Sequence, residues 1–246
     1  MKVVISQRKV VRGLLLGLLL LSCVTVAGPN LLKMSEFAQS HRTELQPLLD
    51  IFTVLKNDTS IGAWYSSFLL LFSSVLLAII AWTKKVEGKP YSLHWAALSI
   101  IFLLLSIDEV ATIHEALGNI VKGLARYLGF TPQGFFSYTW VVLGAVFVLI
   151  VLLAYSRFLY YLPKKTLLLF LAAGALFVGS ALGIEMLEAK LLYISERGVD
   201  VGTTVMRVIR ISEEVLESLG VIIFIHALLS YVRSYVKEFT VQIKNS

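Results

Sequence analysis

The sequence predicts an all-α fold, a polytopic transmembrane helical bundle with six spans, and three observations lead there. Of 246 residues 57% are hydrophobic and 15% charged, with a mean hydropathy of +0.81, outside the usual shares of soluble domains. Apolar windows long enough to cross about 30 Å of hydrocarbon at about 1.5 Å per residue recur along the chain. Basic residues collect in alternate connections, as cytoplasmic loops do.

The predicted spans lie near residues 13–29, 61–82, 93–115, 136–157, 166–188 and 211–232, in a single membrane domain over 1–246. In span 1, Lys2, Arg8, Lys9 and Arg12 precede the run from Leu14 to Ala27. The same pattern fits a secretory signal peptide, and cleavage of residues 1–27 would leave five spans. Leu45, Leu48, Leu49, Phe52 and Leu55 fall at helical spacing, so residues 43–56 read as an amphipathic helix on the outer surface. Span 3 meets no stop signal before Gly129 and Pro132 and is expected to project past the interface. Span 5 is likewise expected to continue to about Arg197.

Orientation follows from charge. The N-terminal basic group, Lys84, Lys85 and Lys89, then Arg157, Lys164 and Lys165, then Arg233, Lys237 and Lys244 share one side with the acids Glu87 and Glu238 alone. That side is expected to be the cytoplasm, with both termini in it. Trp64, Tyr65, Tyr138 and Trp140 near the outer ends, and Trp82, Trp95, Tyr160, Tyr161 and Tyr231 near the inner ends, read as interfacial anchors. The net charge of +6 is accounted for by topology; no basic run interleaved with aromatics points to nucleic acid. The bilayer is the expected partner, protein partners are unspecified and a homo-oligomer stays open.

The remaining acids gather at the outer ends of three spans: Asp108, Glu109 and Glu115 with His114 on span 3, Glu185 and Glu188 on span 5, Glu213, Glu214 and Glu217 on span 6. Counted along regular helices, Asp108 and Glu217 both stand roughly 21–24 Å from the inner ends, and Glu185 and Glu214 roughly 26–29 Å. Asp108 and Glu115 at i, i+7, Glu185 and Glu188 at i, i+3, and Glu213 and Glu217 at i, i+4 each define one helix face. Ala175, Gly179 and Gly183 form a small-residue stripe on another face of span 5, which permits close approach of a neighbour.

An ionisable group in an apolar span costs roughly 2.5–3.5 kcal/mol at the bilayer centre, and clustered carboxylates stay ionised only if something neutralises them. Three readings meet that requirement. A divalent or transition metal, with iron, manganese or zinc suited to carboxylates plus imidazole, would draw ligands from Asp108, Glu109, His114, Glu115, Glu185, Glu188, Glu214 and Glu217. A structural or assembly role would have the acids form an interhelical ion-pair layer with Lys122, Arg126, Lys190, Arg207 and Arg210, where Arg210 stands three and four residues before Glu213 and Glu214. Proton or cation transport would need a continuing polar path, and His226 falls on the opposite face from Glu217. The sequence does not decide whether any reaction is catalysed.

The sole cysteine, Cys23, excludes an intrachain disulfide or a cysteine zinc site. Nucleotide-binding glycine loops and a Gly-x-Ser-x-Gly elbow are missing, as are the paired Glu-x-x-His of ferritin-like bundles and the second histidine of a zincin helix, since position 118 is Gly118.

The run from Ser106 through Asp108, Glu109 and His114 to Glu115, joined to Glu213-Glu214-Val-Leu-Glu217-Ser-Leu-Gly220, resembles a group of bacterial multi-pass inner-membrane proteins. The resemblance implies a bacterial cytoplasmic membrane and treats these acids as a set, with no activity attached. Zinc-dependent membrane hydrolases of the ceramidase and progestin-receptor type also combine Asp, Ser and His in a bundle, but their His-x-x-x-His pair is missing here.

Overall fold

The structure, a computed structural model, describes residues 6–34, 43 and 60–235. Apart from Thr43, the expected surface helix at 43–56 lies outside the described residues. Among these the longer elements are all helices: α1 (Gln7–Met34), α2 (Ile61–Val86), α3 (Ser92–Ala111), α4 (Ile113–Tyr127), α5 (Trp140–Tyr161), α6 (Lys164–Val178), α7 (Glu185–Ser195) and α8 (Thr203–Tyr235). A π-helical segment, Gly179–Ile184, joins α6 to α7 into one rod, and a short 3-10 turn, Gly134–Phe136, precedes α5. Six helical segments are long and apolar enough to cross a bilayer: Gln7–Ala27, Ile61–Val86, Ser92–Ala111, Trp140–Tyr161, Lys164–Ser195 and Thr203–Tyr235. The protein is an all-α integral membrane bundle.

Side-chain contacts fix which ends lie together. Gln7 Nε2 donates to Ser230 Oγ at 2.6 Å and stands 3.1 Å from His226 Nδ1, so the start of α1 meets the end of α8. His226 is thus a structural hydrogen-bonding residue. Trp95 packs edge-to-face against Phe158 and Phe170 and tilted against Tyr231, and Tyr155 donates to the His94 carbonyl at 3.0 Å. These bring the start of α3, the end of α5, the start of α6 and the end of α8 to one place. Lys84, Lys85, Lys89, Lys164, Lys165 and Arg233 flank that place in sequence, making it the basic end of the bundle. The acids accumulate at the other end.

Packing at the basic end is dense: Trp95, Phe158, Leu77, Ile80, Ile225 and Leu228 are all buried. Elsewhere, small polar residues bring helices close. Ser67 and Ser106 exchange hydroxyl-to-carbonyl hydrogen bonds at 2.7 and 2.9 Å, and one heptad away Ser74 and Ser99 do the same at 2.7 and 2.8 Å. In lipid, where apolar attraction between helices is absent, such bonds and close packing are what associate α2 with α3. On the other flank of α2, Ser66 reaches Ser218 of α8 at 3.2 Å.

The small-residue stripe does not act as its spacing suggests. A side chain at Gly179 or Gly183 would meet nothing within 4 Å, whereas a Cβ on Gly220 would stand 2.9 Å from the Phe177 nitrogen and 3.0 Å from the Ala173 oxygen. The close approach is therefore made by α8 onto α6. The π segment explains part of the difference, because its wider turn breaks the 100°-per-residue register on which the stripe depends.

The expected long helix through span 3 is also divided. It stops at Ala111, Thr112 takes a left-handed conformation (φ 49°, ψ 39°), and α4 starts afresh. A β-branched residue with positive φ is a steric outlier, and a local competitor for the backbone accompanies it: Asp108 Oδ1 accepts from the His114 backbone N–H at 2.8 Å, the kind of side-chain bond that ends one helix and caps another. Asp108 and Glu115 consequently belong to different helices. Span 6, in turn, begins at Thr203, so Arg207 and Arg210 ride on the same helix as Glu213, Glu214 and Glu217.

Candidate functional site

A chamber of about 960 Å³ lies between α3, α5, α6 and α8, roofed at the acidic end by α4 and α7. Every acid singled out above lines it: Asp108, Glu109, Glu115, Glu185, Glu188, Glu213, Glu214 and Glu217, together with His114. Lys122 and Arg210 are, among the described residues, the lysine and arginine on the same wall. Below the acids the lining turns apolar, with Phe102, Leu105, Phe147, Val151, Ala173 and Phe224, down to Tyr155, Phe158 and Phe170 near the basic end. There Tyr91, His94, Tyr155 and Phe158 pack ring against ring. His94 belongs to this aromatic floor.

The break at Thr112 shapes the mouth. It turns α4 so that His114 Nδ1 stands 2.8 Å from Asp108 Oδ2 while its backbone N–H bonds Oδ1. Burial of the imidazole disfavours its charge, but the hydrogen bond and charge of Asp108, with Glu185 and Glu115 adding, win, and its pKa rises above the ordinary 6.5. Trp140 packs 4.7 Å from the His114 ring and donates its indole N–H to Glu185 Oε1 at 2.6 Å. It can come this close because residue 118 is glycine: a Cβ there would stand 2.9 Å from Trp140 Cβ. Thr139 Oγ1 donates to the Gly118 carbonyl and holds the same approach.

Glu188 is nearly closed off, with 7% side-chain exposure, and pairs with Arg210 through Nη2 at 2.6 Å and Nε at 2.8 Å. Arg210 thus hydrogen-bonds a carboxylate on a different helix from the Glu213 and Glu214 that its spacing indicated. No hydrogen bond or ion pair joins Glu213 or Glu217 to another described residue. Glu214 borders a second, small crevice of about 20 Å³ against α1 and α2 as well as the chamber. Tyr138 lines the mouth, and burial foremost, then the charge of Glu188, pushes its phenol pKa up, so it stays a neutral hydroxyl. The Ser137 hydroxyl, also on the wall, is buried with no hydrogen-bond partner among the described residues.

The acids therefore share one space without crowding onto one point. Among the described residues, no group of three or more His, Cys, Asp or Glu side chains is arranged to hold a metal ion. Sequence reasoning reached the acids and His114 but missed Trp140 and Tyr138, which it read as belt residues, and Ser137. An aromatic at a helix end has the same sequence signature in either role.

One family description, "Domain of unknown function (DUF8692)", matches residues 15–232, nearly the whole described bundle. The chain belongs to the DUF8692 family. No curated protein and no solved structure matches it. The DUF8692 match spans both the helix carrying Asp108 and the one carrying Glu217, so the chamber lies within the region that defines the family.

Proposed function

We propose that the acidic end of the chamber is a receptor site for a positively charged ligand, in a protein of the bacterial cytoplasmic membrane with both termini in the cytoplasm and the acidic end facing outward. The observation that carries this is the shared wall: carboxylates from α3, α4, α7 and α8 line one chamber, with His114, Lys122 and Arg210 the basic side chains there among the described residues. Carboxylates so placed repel one another unless protons or a cation intervene. Asp108 and Glu188 have basic partners in His114 and Arg210, which a structural ion-pair layer would explain; Glu213 and Glu217 make no hydrogen bond or ion pair among the described residues. The dispersed geometry suits an organic ammonium group, contacted from several sides, better than a bare iron, manganese or zinc ion, which needs its ligands within about 2.0–2.2 Å of one point. The aromatic floor speaks against transport through the basic end.

Calorimetric titration of the protein in lipid nanodiscs with n-butylammonium, and separately with Mn²⁺ and Zn²⁺, tests the reading. Saturable butylammonium binding, weakened about tenfold or more (~1.4 kcal/mol) by the double change Glu185→Gln, Glu217→Gln, is expected. Saturable binding of the metals alone would make this a metal site, and binding of neither would end the cation reading.

A further inference from the structure

The acids occupy one end of the chamber; the rest is apolar and spans much of the bundle. From Leu98 to Asp108 the α3 wall runs about 15 Å at about 1.5 Å per residue, both residues lining the chamber. Water does not settle in such a space, because each molecule needs two to four polar partners, and the middle of the wall, at Phe102, Phe147, Val151 and Phe224, offers no side-chain polar group. A volume of about 960 Å³ lies within the range of sites for small organic ligands. A small hydrophilic cation would fill only the acidic end.

Helix α5 gives the way in. Its acidic end is fastened by Thr139, Trp140 and Gly144, the last so close to Leu182 that a Cβ would stand 2.9 Å away. Its basic end is fastened by Tyr155 and Phe158. Between these ends, no hydrogen bond or ring contact ties α5 to α3 among the described residues. The unfastened stretch carries Phe147, Val148 and Val151 on the chamber side and exposed Val146, Leu149 and Ile150, so it borders hydrocarbon at the depth where the chamber is apolar.

Resting on the cation-site reading above, we infer that the ligand is a membrane amphiphile whose amine-bearing head sits under the acids and whose apolar chain fills the chamber, entered sideways between α3 and α5. Charge complementarity selects the head, and the change from acidic to apolar walls selects the chain.

Gly174 supplies the test. It lines the chamber on α6, and a side chain there would meet nothing within 4 Å, so Gly174→Leu occupies the chain's space while improving helix propensity. In nanodiscs, with partition into empty nanodiscs subtracted, Gly174→Leu is expected to weaken n-dodecylammonium binding by about tenfold or more, leaving n-butylammonium within about twofold. Val151→Trp, from the opposite wall, gives the same pattern and serves if Gly174→Leu does not fold. If both folded variants bind dodecylammonium as the parent does, the chain lies outside the chamber and this inference fails while the cation site stands. If the parent binds neither amine, the cation site fails and the amphiphile with it.

Discussion

A carboxylate at the end of an apolar helix must be offset, and individual residues here do so in different ways. Asp108 takes the backbone and ring of His114, Glu188 takes Arg210, and Glu185 takes the Trp140 indole. Because the fold favours charged His114, its pairing with Asp108 contributes stability fully below pH 6.5, and that contribution fades as pH rises through the raised folded value. Trp140 lies against the ring, so its fluorescence should titrate with a midpoint above 6.5, move down in Asp108→Asn and stop titrating in His114→Gln; a parent midpoint at or below 6.5 contradicts the pairing. For Glu188, Arg210→Met should cost about 3 kcal/mol or more by leaving a buried charge unpaired. Adding Glu188→Gln should restore most of the loss in thermal melts, and equal loss in single and double variants would show the pair to be unimportant. The acids were legible in the sequence because charges inside apolar windows stand out. The bond from Arg210 to Glu188 was not, since helical spacing pointed to Glu213 and Glu214 and that bond crosses between helices.

At the scale of elements, three devices set the helices: reciprocal serine pairs between α2 and α3, the Gly220 contact of α8 on α6, and the break at Thr112. Gly220→Ala forces a Cβ against backbone atoms 2.9 and 3.0 Å away and should destabilise by about 1–3 kcal/mol. Thermal melts beside Gly174→Ala, which meets open space and should be neutral or stabilising, check this; equal melting of the two would remove the contact from the list of what holds α6 and α8 together. Helix existence was legible because apolar length has few other meanings. The breaks were not: nothing in a β-branched threonine announces a left-handed conformation, and the π segment shifts the register from which the small-residue stripe was counted.

For the whole molecule, the basic and acidic ends seen in the packing match the alternation of charge along the chain, so fold class and polarity were legible together. What the sequence could not show is that the acids line a chamber rather than meet at a point, since depth along helices says nothing of the gap between them. Orientation is tested by cysteines at positions 85 and 164, expected to react with impermeant maleimide in inverted vesicles and not in intact spheroplasts, and at 119, expected to do the reverse; the opposite pattern would turn the site toward the cytoplasm.

The most direct measurement is anomalous diffraction from crystals soaked with 4-bromobutylammonium. A bromine peak inside the chamber, within a short chain's reach of Glu185 and Glu217 and lost in Glu185→Gln, Glu217→Gln, is the predicted result. No peak in the chamber, or acids turned outward to lipid, would contradict it.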